Sequence, residues 1–177
     1  MARHDRQTRS RPRMSRRQRL VLTTTAVVVV AAGVGYLAYR AVADLPGVQM
    51  PSQGNLHIAK EDSPHEPYNS DPPTSGPHLP YIAPWGVHTR PIPLPLQVHN
   101  LEDGGVLVQY NCECPELAEQ LRAIVRRYDR QVILAPYPTM KSRIALTAWT
   151  RIDAFDAFDE TRIVRFIEAY RGIDHHK

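Results

Sequence analysis

The stretch "GVLVQYNCECPELAEQLRAIVRRY" at residues 105–128 places a short apolar run directly before a segment with helical periodicity. The apolar run follows Gly104 and predicts a buried β-strand at 105–110. From Pro115 to Tyr128 the apolar residues recur on one stripe, and proline suits the first position of a helix. These residues therefore predict a strand followed by an amphipathic helix.

The chain after this stretch continues the alternation of elements. "QVILAPY" (131–137) and "RIALTAW" (143–149) predict two further strands. "DETRIVRFIEAYRG" (159–172) predicts a second amphipathic helix, with Asp159 as its N-cap and Gly172 just past its end. The order strand, helix, strand, strand, helix predicts an α+β domain, in which two amphipathic helices cover a small mixed sheet.

The chain before this stretch is rich in proline, with 12 of the 16 prolines between residues 44 and 95. Proline lacks a backbone donor and disfavours helical conformation in its predecessor, so this part is not expected to be helical. Residues 40–54 are interpreted as a linker. Residues 55 to about 97 also carry large apolar side chains, and they predict an ordered, irregular wrap over a domain that spans 55–177.

The N-terminal region has the composition of a membrane anchor. Residues 1–19 contain eight arginines and one acidic residue, and residues 20–38 contain no charge. A helix of 19 apolar residues is about 28 Å long, close to the thickness of the hydrocarbon core. The basic flank predicts an Arg-rich cytoplasmic tail at 1–19, a transmembrane anchor at 20–39 and a C-terminal domain outside the cytoplasm.

The apolar run could be a cleaved signal peptide or a retained anchor. "AVA" at 41–43 fits a signal-peptidase site, but the apolar run is long for a signal peptide, which favours a retained single-pass signal anchor.

The formal charge of +4 comes from the tail, because residues 41–177 hold 13 Lys and Arg against 17 Asp and Glu, a net −4. The sequence therefore predicts that the chain associates with the cell membrane and does not bind nucleic acid.

Three histidines lie in turn-rich segments of the predicted domain: His57 in "GNLHI", His78 in "TSGPHLP" and His99 in "QVHNLEDGG". Imidazoles with a nearby carboxylate are the ligands that zinc or copper uses. For each histidine taken alone, a loop residue that is hydrogen-bonded to backbone is the favoured interpretation. Glu102 and Asp103 could act as acid–base partners of His99 or form a solvated turn; the turn is favoured for Asp103 and Glu102 is left open.

Apart from the histidines and carboxylates, the two cysteines are the main candidates for chemistry. One residue separates Cys112 from Cys114. Three alternatives remain for the pair: a structural disulfide, thiol ligands for copper or zinc, or a redox pair. No nucleophile elbow, phosphate loop or dinucleotide motif is present, and catalytic residues are unknown. The terminal "DHHK" (174–177) is interpreted as a frayed end.

Several motifs in the same order resemble the bacterial family known as domain of unknown function 3105. They are "YNSDPPTSGPH" (68–78), "GVH" (86–88), "VHNLEDGGVLVQYNCECPEL" (98–117) and "APYPTMKSRIALTAW" (135–149). The resemblance implies a domain behind a single membrane segment, and it implies no reaction. The family pattern also has histidines that match His57, His78 and His99, which favours a clustered histidine site, and Asp103 stands where similar sequences carry a further histidine.

These observations favour a membrane-anchored extracytoplasmic domain of unknown biochemical function. The first hypothesis is a module that binds copper or zinc through His57, His78, His99 and Asp103. The alternative is a structural or interaction module of the cell envelope with a protein partner and no metal. A hydrolase or a thiol-redox enzyme is the second alternative.

Overall fold

The computed structural model describes residues 15–176, and for residues 41–43 it describes the backbone alone. The chain divides into two compact units, Met1–Leu45 and Pro46–Lys177. The described part of the first unit is a single helix, α1 (Arg16–Ala43), of 28 residues. By length and composition α1 could cross a membrane, and a signal sequence would meet the same description.

The second unit is built on one six-stranded mixed sheet with three helices. Its strand order is β1-β6-β5-β3-β4-β2, with β3 in the interior between an antiparallel and a parallel neighbour. The elements, in chain order, are β1 (Val48–Gln49), β2 (Gly86–Val87), α2 (Leu94–Glu102), β3 (Val106–Tyr110), α3 (Pro115–Val125), β4 (Val132–Pro136), β5 (Ile144–Ala148), β6 (Arg151–Phe155) and α4 (Glu160–Tyr170).

The predicted α+β class is confirmed. The strands and helices that were predicted after residue 104 are all present, with small differences at their ends. Asp159 is the N-cap of α4, and its side chain accepts a hydrogen bond from the backbone N–H of Arg162. Gly172 has a φ of +87°, which glycine adopts without strain just past a helix. Both features depend only on neighbouring residues, so the sequence pattern was sufficient to predict them.

Helix α2 was not expected from the sequence. Residues up to about 97 were expected to be irregular and a turn was favoured at Asp103, whereas a helix runs from Leu94 to Glu102. Pro93 occupies the N-cap position without a side-chain capping bond, and Pro95 lies in the first turn, where the missing N–H of proline has no intrahelical partner to lose. The prolines therefore begin the helix, and the turn starts only at Asp103.

Three strands were also missed. β1 and β2 have two residues each and pair at the two edges of the sheet. β6 is longer, but it carries charges at Arg151 and Asp153 that conceal its strand character. Its pairing with the apolar β5 and the ion pair between Asp153 and Arg162 compensate for those charges. Tertiary pairing, which a local pattern does not encode, forms all three strands.

The orientation of α2 depends on contacts that lie entirely in the interior. The fully buried Asn100 accepts a hydrogen bond from the N–H of Ala83 and donates one to its C=O, both at 2.9 Å. The N–H of Gly105 donates to the C=O of Asn100 at 2.8 Å, and a Cβ at Gly105 would overlap the Trp85 ring. This bonding holds the last turn of α2 against the start of β3.

Candidate metal centre

The last turn of α2 and the residue that follows it supply three polar side chains. His99, Glu102 and Asp103 are separated by three and four residues, the spacings at which helical side chains lie on one face. Glu102 is almost fully buried, with 1% of its side chain exposed, and His99 is also buried. Buried ionisable groups at the end of a helix need partners, and these come from other parts of the chain.

Two loops of the proline-rich segment bring the other histidines to this turn. His57 and His78 form an isolated parallel bridge, in which the N–H of Ile58 donates to the C=O of His78. The N–H of Leu79 donates to the C=O of Pro95 and ties the second loop to α2. Backbone pairing thus places three histidines from three segments beside one another.

The group of donors is compact. His57, His78, His99 and Glu102 each offer a ligand atom, and these atoms all lie within 4.8 Å of one another. The centroids of the three imidazole rings are 4.9–5.3 Å apart. His78 is fully buried, whereas the side chain of His57 is 49% exposed, so the group is open to solvent on one side. An ion could therefore enter without unfolding the domain.

The hydrogen bonds of His78 define which of its nitrogens faces the group. Nδ1 lies 2.8 Å from the backbone oxygen of Gly76, and because a carbonyl only accepts, Nδ1 carries a proton. Nε2 lies 2.9 Å from Oε2 of Glu102. A neutral ring would therefore direct a lone pair at a carboxylate oxygen, which requires a proton or a cation between them. An Nδ1–H bound to a carbonyl is also the usual orientation of a metal-ligating histidine.

His99 adds a second nitrogen suited to ligation. Burial lowers the pKa of its imidazole, and the nearby Asp103 carboxylate opposes this effect only in part. Among the described residues, its buried Nδ1 finds no hydrogen bond of normal geometry, although the Leu79 backbone favours the protonated ring. A low pKa leaves the imidazole neutral, and the neutral form is the one that binds a metal ion.

The C-terminal tail reaches the same place. The N–H of Gly172 donates to the C=O of Gly104, and the N–H of His175 donates to the C=O of Glu102. Nε2 of His176 lies 3.4 Å from Glu102 Oε2 and 3.3 Å from Asp103 Oδ1. The tail was expected to be frayed; instead its described residues, up to 176, fold back over α2. Sequence reasoning missed His176, and only its position in "DHHK" could have drawn attention to it.

The structure divides the residues that the sequence singled out. His57, His78 and His99 lie together, and the carboxylate that joins them is Glu102. Asp103 instead groups with His99 and His176. Glu102 was left open between an acid–base partner of His99 and a turn residue, and the helical conformation of the segment places its side chain with the histidines. The helical spacing of three between His99 and Glu102 was the available signal.

The two cysteines lie away from this group. Cys112 and Cys114 form a disulfide with Cα atoms 5.3 Å apart, between the end of β3 and the start of α3. His99 lies in α2, before the start of β3, whereas the cysteines follow the end of β3. The five residues of that strand extend over about 13 Å. Of the three alternatives for the pair, the structure therefore contains the bridge, and the cysteines supply no thiolate to the histidine group.

Comparison with known proteins identifies the family of this chain but no biochemical activity. The sequence model of the family described as "Protein of unknown function (DUF3105)" matches residues 60–177. No curated protein and no solved structure matches the chain significantly. The match covers His78, His99, Glu102 and the C-terminal tail, whereas His57 lies just before it.

Proposed function

This chain belongs to the DUF3105 family, and we propose that it binds a divalent transition metal ion through His57, His78, His99 and Glu102. The observation that carries the proposal is the convergence of these four donor atoms within 4.8 Å. A zinc or copper ion takes nitrogen and oxygen donors at about 2.0–2.2 Å, so donors of one ion lie roughly 3–4 Å apart. Small side-chain shifts would bring the group to that spacing.

The donor types support copper or zinc as the ion. The group combines three imidazoles with one carboxylate and contains neither thiolate nor thioether. Imidazole suits zinc and copper, whereas magnesium and calcium prefer sites made of oxygen alone. Cu(I) prefers soft sulfur ligands, so Zn(II) and Cu(II) are the ions that fit this set best.

Metal retention by the full-length protein in detergent tests the proposal directly. After chelator treatment and addition of Zn(II) or Cu(II), we expect stoichiometric metal by mass spectrometry and a higher unfolding temperature. At a free-ion concentration of 100 times Kd, binding would stabilise the fold by about 2.7 kcal/mol. His57→Ala should weaken affinity at least about 10-fold, because it removes a ligand from the half-exposed side of the site.

The matched control is His65→Ala. His65 is half-buried and lies outside the donor group; its Nδ1 bonds the backbone oxygen of the adjacent Glu66, and its ring contacts that of Tyr68. This variant should bind metal as the wild type does. Protein that folds normally, retains neither ion and gains no stability from either would contradict the proposal. That result would favour the structural or interaction module instead.

We also propose the location that the sequence predicts, with residues 1–19 in the cytoplasm, 20–39 in the membrane and 55–177 outside, joined by residues 40–54, which include β1 of the domain sheet. The apolar α1 and the basic residues before it support this arrangement. A reporter that is active only outside the cytoplasm, fused after residue 177, should be active. A reporter active only in the cytoplasm should be silent at that position, and the reverse pattern would refute the proposed orientation.

A further inference from the structure

We infer that the C-terminal tail completes a second metal position beside the first, formed by His99, Asp103 and His176. This inference rests on the proposed metal site and extends it from one ion to two. The three residues offer ligand atoms that lie within 4.8 Å of one another. They come from the end of α2 and from the tail, which is bonded to the Gly104 and Glu102 backbone.

The distances within this group match those of ligands around one ion. Oδ1 of Asp103 lies 3.3 Å from Nε2 of His176 and 3.6 Å from Nε2 of His99. Two donors at about 2.1 Å from a tetrahedral ion are about 3.4 Å apart. An ion would therefore fit between these atoms with little movement of the side chains.

His176 is oriented as a ligand by a carboxylate of its own. Its Nδ1 lies 2.7 Å from Oδ1 of Asp174, which also accepts a hydrogen bond from the His176 backbone N–H. This leaves Nε2 directed at Asp103 and Glu102. A carboxylate bound to the far nitrogen is a common support for histidines that ligate metals, because it fixes the tautomer and the ring direction.

Glu102 connects the two positions. Its Oε2 lies 2.9 Å from Nε2 of His78, in the first group, and 3.4 Å from Nε2 of His176, in the second. A carboxylate between two ions about 3.5–4 Å apart is the usual arrangement of a two-metal site. If His99 serves the second ion, His57 and His78 hold the first ion, His99, Asp103 and His176 hold the second, and Glu102 lies between them.

An imidazolium at His176 would also pair with the same carboxylates, since the hydrogen bond that its ring donates to Asp174 raises the pKa of His176. Metal stoichiometry separates the two accounts. Untagged full-length protein, stripped and titrated with Zn(II), should bind two ions. His176→Ala should bind one, and the half-exposed position of His176 makes this change tolerable to the fold. His65→Ala should still bind two.

Cu(II) provides a readout of proximity. Two Cu(II) ions within about 4 Å of each other should couple magnetically, so the wild-type protein should lose most of its ordinary resonance signal at full loading. His176→Ala should regain the signal of one isolated ion. One ion per wild-type chain, or two ions in His176→Ala, would overturn the second position and leave the proposed function standing. No bound ion in the wild type would overturn both.

Discussion

Glu102→Gln should abolish stoichiometric metal binding while leaving the metal-free domain folded and at least as stable as the wild type. Glu102 is the carboxylate of the donor group, and its Oε2 lies nearest to Nε2 of His78. An amide is a poor ligand for zinc or copper, so we expect affinity to fall at least about 100-fold, equivalent to about 2.7 kcal/mol. The two side chains have nearly the same shape, which limits any disturbance of packing.

The metal-free protein should respond in the opposite direction. In the neutral tautomer that the Gly76 carbonyl selects, Nε2 of His78 carries a lone pair, and this lone pair faces Oε2 of Glu102. A glutamine amide can donate a hydrogen bond to that nitrogen, which stabilises a protein by about 0.5–1.5 kcal/mol. Denaturant unfolding in the presence of chelator would measure this gain.

Competition with a coloured chelator would measure the loss of affinity. Glu113→Gln is the control, because Glu113 is exposed between the two disulfide-bonded cysteines at the other end of β3. It should change neither affinity nor stability. Metal affinity in Glu102→Gln within threefold of wild type would show that Glu102 is not a ligand.

Gly105→Ala should lower the stability of the domain by about 3 kcal/mol, the upper range for overpacking a close contact. A Cβ at residue 105 would overlap the backbone oxygen of Asn100 and lie 2.7 Å from the Trp85 ring. The Asn100 oxygen accepts the hydrogen bond of the Gly105 N–H and has little freedom to move, because its own side chain is bonded to Ala83. The collision therefore displaces α2 or Trp85.

Thermal unfolding of the metal-free protein would measure the effect, which corresponds to a decrease of about 10 °C in Tm for a domain of this size. Gly54→Ala is a useful comparison, since residue 54 has a φ of +79° but nothing within 4 Å of the added methyl group. It should show backbone strain alone, of about 1 kcal/mol. A Tm for Gly105→Ala within 2 °C of wild type would contradict the packing account.

The α+β class, the positions of β3, α3, β4, β5 and α4, and the apolar N-terminal helix could be predicted because each depends on neighbours in the chain. A helix cap such as Asp159 acts on the residue three positions later, and an apolar run such as 106–110 suits burial wherever its partners lie. The importance of His57, His78 and His99 was inferred from their turn-rich segments. Local composition was sufficient for these conclusions.

The carboxylate partner of the histidines could not be predicted, because it depends on the conformation of "HNLED". Asp103 was predicted as a ligand because similar sequences carry a histidine at that position; as the end of a helix, the segment instead directs Glu102 into the interior toward His78. The short strands at the sheet edges were missed for a related reason. Two-residue strands exist only because a longer neighbour offers backbone partners to them.

The sequence by itself determined a membrane-compatible helix, an α+β domain and a set of histidines with suitable chemistry. The tertiary structure decided which of these residues meet. Bonds between the His57 and His78 loops, between Leu79 and Pro95 and between Gly172 and Gly104 join segments distant in the chain. Such contacts depend on how the whole core packs, and they bring Glu102 and His176 to the predicted histidines.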